Sequence, residues 1–101
     1  MIGQKESMGF EGDDAKDAAN RRKHGIGFDS VDAFDWEGAV LAPDTRRDYG
    51  EERIVAFGFL EDRLHVCAFT LRGEARRIIS LRKANAREER IHEQITQALD
   101  E

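Results

Sequence analysis

Three runs in the middle of the chain are rich in β-branched and aromatic residues, a composition typical of β-strands. They are RIVAFGFL (53–60), LHVCAFTL (64–71) and RRIISL (76–81). Three residues separate the first two runs, which is hairpin spacing, and Gly73 supplies a turn before the third. A shorter apolar run opens the segment AVLAPDTRRDYG (39–50), whose remainder reads as a loop. The pattern predicts a small antiparallel sheet of about four strands.

The polar stretch GDDAKDAANRRKHG predicts a helix from about Asp13 to His24. Acidic side chains stand in its first turn and basic ones in its last, as the helix dipole favours, and Gly25 follows as a stop. Its apolar positions at helical spacing are alanines, so we expect a narrow alanine face to pack against a neighbouring element. This face comprises Ala15, Ala18 and Ala19, and Arg22 continues it.

Two further helices are predicted after the first. The segment FDSVDAFDW predicts a short helix capped by Asp29 or Ser30 that buries Phe28, Val31 and Phe34. The segment NAREERIHEQITQALDE (85–101) predicts a C-terminal helix, because Asn85 and Glu88 have the spacing of an N-capping pair. Helical spacing also predicts a core-facing stripe made of Ile91, Ile95, Ala98 and Leu99.

The length and element order fit a single domain. A chain of 101 residues with 40% apolar residues can build one modest core and not two. Two N-terminal helices, the antiparallel sheet and a C-terminal helix predict the α+β fold class. We expect residues 1–9 to form a flexible N-terminus and residues 10–101 to form the domain.

The net charge of −5 is distributed unevenly along the chain. Residues 1–62 carry 8 basic and 15 acidic side chains, a net charge of −7. Residues 63–90 carry 8 basic and 3 acidic ones, a net charge of +5, and residues 91–101 carry 3 acidic ones and no basic one. Because an anion responds to the local potential, the basic segment is a candidate surface for phosphate groups, although the acidic chain as a whole is unlike typical nucleic-acid-binding modules. The acidic first part suits a basic protein partner.

Several classes of protein are disfavoured by composition. No apolar run approaches the roughly 20 residues of a membrane-spanning helix, and the N-terminus lacks the apolar region of a signal peptide. The single cysteine, Cys67, excludes an internal disulfide and a cysteine-rich zinc site. We therefore expect a cytoplasmic protein that uses no metal and no cofactor and does not bind a membrane.

Alternation along the third long strand sorts its basic side chains. One side is expected to carry Arg76, Ile78, Ser80 and Arg82, and the other Arg77, Ile79, Leu81 and Lys83. Arg82 and Lys83 come where this strand ends and the last helix begins. The N-terminus of that helix adds unpaired N–H groups and a partial positive charge, which suit a phosphate. This junction is the best candidate for a phosphate site.

His24 is the candidate general acid or base, because an unperturbed histidine pKa of about 6.5 suits proton transfer near neutral pH. At the end of a helix the dipole favours the protonated form, which suits an acid more than a base. In the alternative interpretation, Lys23 and His24 only cap the last carbonyl groups. His65, which is in a strand beside Cys67, is expected to be packed and not catalytic.

Charged and aromatic residues around the second strand are weaker candidates. Either Glu51 or Glu52 is a possible general base, with Arg53 keeping it ionised or contacting phosphate, and a surface ion pair is the alternative. Arg72, in the turn before the third strand, is either an RNA contact or a solvated turn residue. Tyr49 and Trp36 either stack on a base or belong to the core and its rim.

The segments FEGDDAKDAANRRKHGIGF and RRDYGEERIVAFGFLEDRLHVCAFTLRGEARRIISLRKANAREER resemble the BrnT family of bacterial toxins. The most specific parts are NRRKHGI, YGEER and RIISLRKA, in this order and at these separations. The resemblance runs from about Phe10 to Arg90 and departs at Gly12, where the family usually has a tryptophan.

This resemblance implies a fold similar to that of RelE-type ribonucleases and a toxin that arrests growth by cleaving RNA. It also implies an antitoxin of the BrnA kind, a ribbon-helix-helix protein that forms a hetero-oligomer with the toxin and binds operator DNA.

Two functions follow as hypotheses. The first is a ribonuclease toxin that cleaves RNA without metal and so inhibits translation. Its expected catalytic residues are Lys23, His24, Glu52, Arg53 and Arg82, and its expected phosphate-binding residues are Arg72, Arg77 and Lys83. The second is a catalytically silent module that docks a DNA-binding antitoxin and acts as a co-repressor.

Overall fold

A computed structural model of the protein describes residues 10–45, 48 and 50–99. The expected flexible N-terminus at residues 1–9 and the candidate stacking residue Tyr49 lie outside this part of the chain. The elements are β1 (Phe10–Gly12), α1 (Asp14–His24), a 3₁₀ helix (Phe28–Asp32), β2 (Val40–Pro43), β3 (Ile54–Leu60), β4 (Arg63–Arg72), β5 (Ala75–Lys83) and α2 (Ala86–Leu99). Among these described elements, no helix is long and apolar enough to cross a membrane.

Five strands of the described chain form one sheet in the order β1-β5-β4-β3-β2. β2 pairs with β3, β3 with β4 and β4 with β5, each pair antiparallel, which confirms the antiparallel sheet predicted from the four apolar runs. The prediction is wrong about the edge, because β1 adds a fifth strand and pairs in parallel with β5 through Phe10 and Arg76. A strand of three residues is too short to show alternation, and so the sequence pattern could not reveal it.

A β-bulge in β5 changes the register of the sheet at Ile79. Ala68 of β4 pairs with Ser80, but the next residue, Phe69, pairs with Ile78. Ile79 is therefore the extra residue of β5 in this register. Beyond it, the side chains of β5 point to the opposite faces from those that strict alternation gives.

The bulge corrects the predicted grouping of the basic side chains on β5. Ile78 and Leu81 belong to the same core cluster, although strict alternation placed them on opposite faces. Arg76 lies on this core side, with its guanidinium carbon 4.1 Å from the ring centroid of Trp36. Arg82 is on the other face, so the prediction that Arg76 and Arg82 share a side is wrong.

The main core covers one face of the sheet under the segment from Phe28 to Trp36. It consists of Phe28, Val31, Phe34, Ala56, Cys67, Phe69, Ile78 and Leu81. The predicted second helix is present as a 3₁₀ helix and buries the expected apolar residues. Its predicted cap at Asp29 or Ser30 is wrong, because the N-cap is Gly27 and no side chain caps the helix. Trp36 stacks on Phe10 at 5.6 Å between centroids and donates from Nε1 to the carbonyl of Val31 at 3.0 Å. Of the two interpretations of Trp36, the core one agrees with these contacts.

Gly12 stands against the edge of this core. A Cβ atom built at Gly12 would lie 3.0 Å from Cδ2 of Phe28. Because this distance is shorter than nearly all Cβ contacts, a larger residue at this position requires the Phe28 ring to shift.

Helix α1 forms where it is predicted and lies along β5, but it does not pack through alanines. Asp13 caps it by accepting from the N–H of Ala15 at 2.7 Å, and Gly25 ends it with a φ of 74°. Asn20 is the one buried residue of α1, whose residues are all described, and the predicted alanine face is exposed. The alanine prediction is therefore wrong.

Asn20 attaches α1 to β5 through hydrogen bonds to the strand's backbone. Its amide nitrogen donates to the carbonyl of Leu81 at 2.7 Å and to that of Ile26 at 2.9 Å. Its amide oxygen accepts from the N–H of Leu81 at 3.1 Å. Asn20 thus supplies hydrogen-bond partners to the backbone of β5 at a point that β1 does not reach. Pairing these backbone groups stabilises the position of α1 more than the burial of small alanine side chains could.

The second face of the sheet, which we call the open face, is covered only in part. It carries a small apolar cluster of Leu64, Val66 and Ala84 with Val55 and Phe57 beside it. Helix α2 lies beside this cluster, with the His92 ring 5.7 Å from that of Phe59. The cluster is too small to bury α2, and the helix remains largely in solvent.

The predicted capping pair of α2 is confirmed, but its predicted core stripe is not. The N–H of Glu88 donates to Asn85 Oδ1 at 2.8 Å, and the N–H of Asn85 donates to Glu88 Oε1 at 2.9 Å. None of residues 86–99 is buried. The stripe is exposed instead, by 44% at Ile91, 39% at Ile95 and 77% at Leu99.

We expect Asn20→Ala to lower the free energy of unfolding by about 2–4 kcal/mol, because it leaves two backbone groups of Leu81 without hydrogen bonds in a buried site. Urea denaturation followed by circular dichroism measures the change. Arg22→Ala, at an exposed position of α1, is the matched control and should change stability by about 0.5 kcal/mol or less. Equal effects of the two substitutions would contradict the role assigned to Asn20.

We expect Glu88→Ala to lower the free energy of unfolding by about 1–2 kcal/mol, because it removes both the cap of α2 and a salt bridge to Arg82. Hydrogen bonding from Arg82 holds the pKa of Glu88 below its ordinary value. The stabilisation is therefore present above the ordinary pKa and is lost as the pH falls through the folded-state pKa. Glu93→Ala, on the same helix, should change little. The free energy of unfolding of wild type and variant is measured at neutral and at acidic pH. An equal difference between the two proteins at both pH values would contradict this account.

Candidate functional site

Three of the arginines predicted to contact RNA share the open face of the sheet. Arg82 pairs with Val66 and Arg77 with Thr70, and these two residues of β4 lie four positions apart on one side of the strand. Arg72 continues the same side of β4. The bulge at Ile79 is what places Arg77 and Arg82 on one face, because strict alternation separated them.

Arg82 lines a concavity of about 340 Å³ on the open face. Val66 and Ala68 form part of its floor, and Ser80 and Glu88 stand beside Arg82 at its wall. The volume lies near the lower end of the range for ligand pockets, about 300–1,000 Å³. A phosphate with part of a nucleotide is of the right size to enter it.

The guanidinium group of Arg82 is held in place by Glu88. Its two terminal nitrogens donate to the two carboxylate oxygens at 2.9 and 2.8 Å, and Nη1 also donates to the carbonyl of Lys83 at 3.2 Å. A bidentate pair fixes the plane of a guanidinium as well as its position. The same carboxylate caps α2, so one acidic side chain joins the end of β5 to the start of the helix.

His24 ends α1 close enough to Arg82 for their charges to interact. Burial lowers the pKa of His24 from the ordinary value of 6.5, and the positive charges of Lys23 and Arg82 lower it further. Burial and the two cations thus oppose the protonated form of His24 that the helix terminus was expected to favour. A neutral imidazole near neutral pH can accept a proton, which suits a base.

Arg53 and Glu52 lie at the start of β3. Arg53 precedes Ile54, which packs against the main core, so alternation directs Arg53 to the open face. Its carbonyl accepts from the N–H of Asp44 at 2.8 Å, and Asp44 lines the same concavity as Arg82. Glu52 is exposed in the loop before the strand, away from the lining of the concavity.

The remaining phosphate-binding candidates are farther from the concavity. Arg72 lies 3.8 Å from Glu51, and Arg77 lies 3.6 Å from Glu11 on the neighbouring strand. Lys83 is on the opposite face, where it pairs with His65. The structure therefore brings Lys23, His24 and Arg82 together, places Arg53 on the same face, and separates Lys83 from them.

The other reactive side chains do not add to this site. His65 is buried, and its Nδ1 lies 2.8 Å from the carbonyl of Arg63, which confirms that it is packed. Burial raises the pKa of the Cys67 thiol to about 12, so this cysteine is not a nucleophile at neutral pH. Within the described ranges, no three His, Cys, Asp or Glu side chains are grouped so that they could hold a metal ion.

Sequence reasoning missed two residues that shape the site. Asn20 holds α1 against Leu81, the residue before Arg82, and so sets the position of His24. A signal was present, because Asp17, Asn20 and His24 recur at the spacing of one helix face. Asp44 is buried in the wall of the concavity, but its position after a strand does not distinguish it from an ordinary loop residue.

Comparison with known proteins identifies the family of the chain. The chain matches the ribonuclease toxin BrnT of type II toxin–antitoxin systems over residues 13–88. It is also similar to the crystal structure of the Brucella abortus ribonuclease toxin BrnT, with 28% sequence identity and a TM-score of 0.63 over 77% of this chain and 97% of that chain. No curated protein matches the chain.

The family match spans α1, the whole β2–β5 sheet and the start of α2. It therefore includes each of Lys23, His24 and Arg82 as well as the bulged strand that brings them together. The chain belongs to the BrnT family, the ribonuclease toxins of type II toxin–antitoxin systems.

Proposed function

We propose that this chain is an endoribonuclease that cleaves RNA with its own side chains and without a metal ion. The observation that carries the proposal is the position of His24, whose pKa is lowered by burial, Lys23 and Arg82. The charges of two cations thus act on His24 and favour its neutral form, and one of these cations, Arg82, lines a concavity of about 340 Å³. We assign proton transfer to His24 and charge stabilisation to Arg82 and Lys23.

The proposed reaction is an internal transesterification of RNA. His24 accepts the proton of a ribose 2′-hydroxyl group, and the 2′-oxygen forms a bond to the adjacent phosphorus. Arg82 and Lys23 stabilise the additional negative charge on the phosphorane oxygens. The bond from phosphorus to the 5′-oxygen then breaks, and the leaving oxygen takes a proton from Lys23 or from water. The products are a 2′,3′-cyclic phosphate and a 5′-hydroxyl end.

The outer arginines extend this site along the RNA backbone. Arg77 and Arg72 share the open face with Arg82. The partners of Arg82 and Arg77 on β4 are four residues apart, which corresponds to about 13 Å along the strand. That is roughly two backbone phosphates along an extended strand, so we assign these arginines to neighbouring phosphates. Arg53 lies on the same face, and we assign it to phosphate binding more readily than to proton transfer.

The biological setting is part of the proposal. Cleavage of RNA would inhibit translation and arrest growth, and a ribbon-helix-helix antitoxin would neutralise the toxin and carry the complex to operator DNA. A likeness of the fold to that of RelE-type ribonucleases belongs to the same proposal. The support for it is the family and the acidic N-terminal part of the chain, which suits a basic partner.

A silent binding module is the second candidate, and one observation favours it. Arg82, Arg77 and Arg72 are each within 4 Å of a glutamate, and their charges are therefore partly compensated. RNA that stays intact while antitoxin binding is retained would support this second function.

We expect the purified protein, freed from any partner, to cleave a mixed RNA in excess EDTA. His24→Ala should slow cleavage by about 10²–10⁴-fold, because it removes the proton acceptor, and Arg82→Gln by about 10²–10³-fold. Lys16→Ala, which removes a cation from the other end of α1, should leave the rate unchanged. Gel analysis measures cleavage, and circular dichroism checks folding. Activity that disappears with EDTA and returns with a divalent ion would contradict metal-independent chemistry.

We expect the rate of cleavage to rise with pH through the folded-state pKa of His24, below its ordinary value of 6.5, since the protonated ring cannot act as a base. Arg82→Gln removes one of the charges that disfavour protonation, and so it should raise the pKa of His24. Titration of the His24 ring signals by NMR measures this, with Lys16→Gln as the control. A pKa that is the same in all three proteins would show that Arg82 does not act on His24.

A further inference from the structure

Helix α2 and the edge of the sheet enclose an apolar groove on the open face. Val40, Ala42 and Phe57 line it from β2 and β3, and Ile91 and Ile95 line it from α2. Its volume is about 210 Å³. Although the strand side chains lie opposite them, Ile91 and Ile95 remain 44% and 39% exposed, whereas an apolar stripe of this kind is normally covered.

The charge around the groove indicates the chemistry of its occupant. Residues 91–99 carry the acidic side chain of Glu93 and no Lys or Arg, Glu88 lines the groove, and Leu99 ends the described helix in an exposed position. The C-terminus of a helix has a partial negative charge, which adds to that of the acidic side chains. A partner segment with an apolar face and flanking Lys or Arg side chains complements this surface both in shape and in charge.

The groove is continuous with the concavity that contains Arg82. Ala42, Phe57 and Glu88 line both of them. Any segment seated in the groove therefore reaches the wall of the proposed RNA site. Glu88 is at the boundary, where it holds Arg82 in its bidentate pair at 2.8 Å.

We infer that this groove is the docking site of the cognate antitoxin, which inserts a basic amphipathic segment between α2 and β2. The antitoxin then neutralises the toxin by covering the concavity at Arg82, and it needs no change in the shape of the site. This inference rests on the proposed function only in that binding is expected to inhibit RNA cleavage. The docking itself is independent of whether the free chain cleaves RNA.

The test uses the full chain and the antitoxin encoded beside it, co-expressed and then separated. Ile95→Lys places a charge in the groove at a position that is already 39% exposed, so the chain should fold normally. Leu41→Lys is the matched control, because Leu41 is 56% exposed on the other side of β2. Calorimetry measures the dissociation constant of each complex, and cleavage by each free chain is measured separately.

We expect Ile95→Lys to weaken antitoxin binding by about tenfold or more and Leu41→Lys to leave it nearly unchanged. The free Ile95→Lys chain should cleave RNA at the wild-type rate and resist inhibition by the antitoxin. Wild-type affinity in Ile95→Lys, or no binding by the wild-type chain, would overturn the inference. Light scattering of the free chain tests a further outcome. If Ile95→Lys dissociates a dimer of the free chain and leaves antitoxin binding intact, the groove holds a second copy of the chain, and the inference is overturned.

If wild-type and variant chains both fail to cleave RNA, the proposed function is wrong. The effect of Ile95→Lys on binding still decides the docking site in that case, so the two failures are distinguishable.

Discussion

The extra residue at Ile79 determines on which face of the sheet each later side chain of β5 lies. Before it, Arg76 covers Trp36 on the core side, and after it Leu81 enters the same core. Without the extra residue, a buried leucine and Arg82 would exchange faces, which would put a guanidinium into the main core. The burial of Ile78 and Leu81 on one side thus requires a bulge, and the bulge delivers Arg82 to the open face.

Two polar side chains then fix the surroundings of Arg82. Asn20 binds the backbone of Leu81 and so holds the end of α1, with His24, beside the end of β5. Glu88 pairs with Arg82 and caps α2 through Asn85. The first contact connects elements that are far apart in the sequence, and the second joins the consecutive elements β5 and α2. The site is therefore assembled at the junction of three elements and not on a single motif.

Helix α2 is attached to the sheet through its first turns, whereas the apolar side chains of its later turns are exposed. Its first two turns are attached by Glu88, by Glu89 at 3.4 Å from Arg63, and by His92 against Phe59. Its later turns present Ile95 and Leu99 to solvent. The proposed docking groove and the concavity at Arg82 share Glu88 as a wall, so the two surfaces are adjacent.

The sequence by itself determined the class of fold, four of the five strands, both α-helices and their caps, because these depend on local periodicity and on neighbouring side chains. It also indicated the family and the candidate set that includes His24 and Arg82. Tertiary structure decided the parallel strand β1, the packing of α1 through Asn20, the exposure of α2 and the faces on which Arg82 and Lys83 lie. These features depend on pairing between distant residues, on one unpaired position in a strand, and on whether enough apolar surface exists to cover a helix, none of which local spacing records.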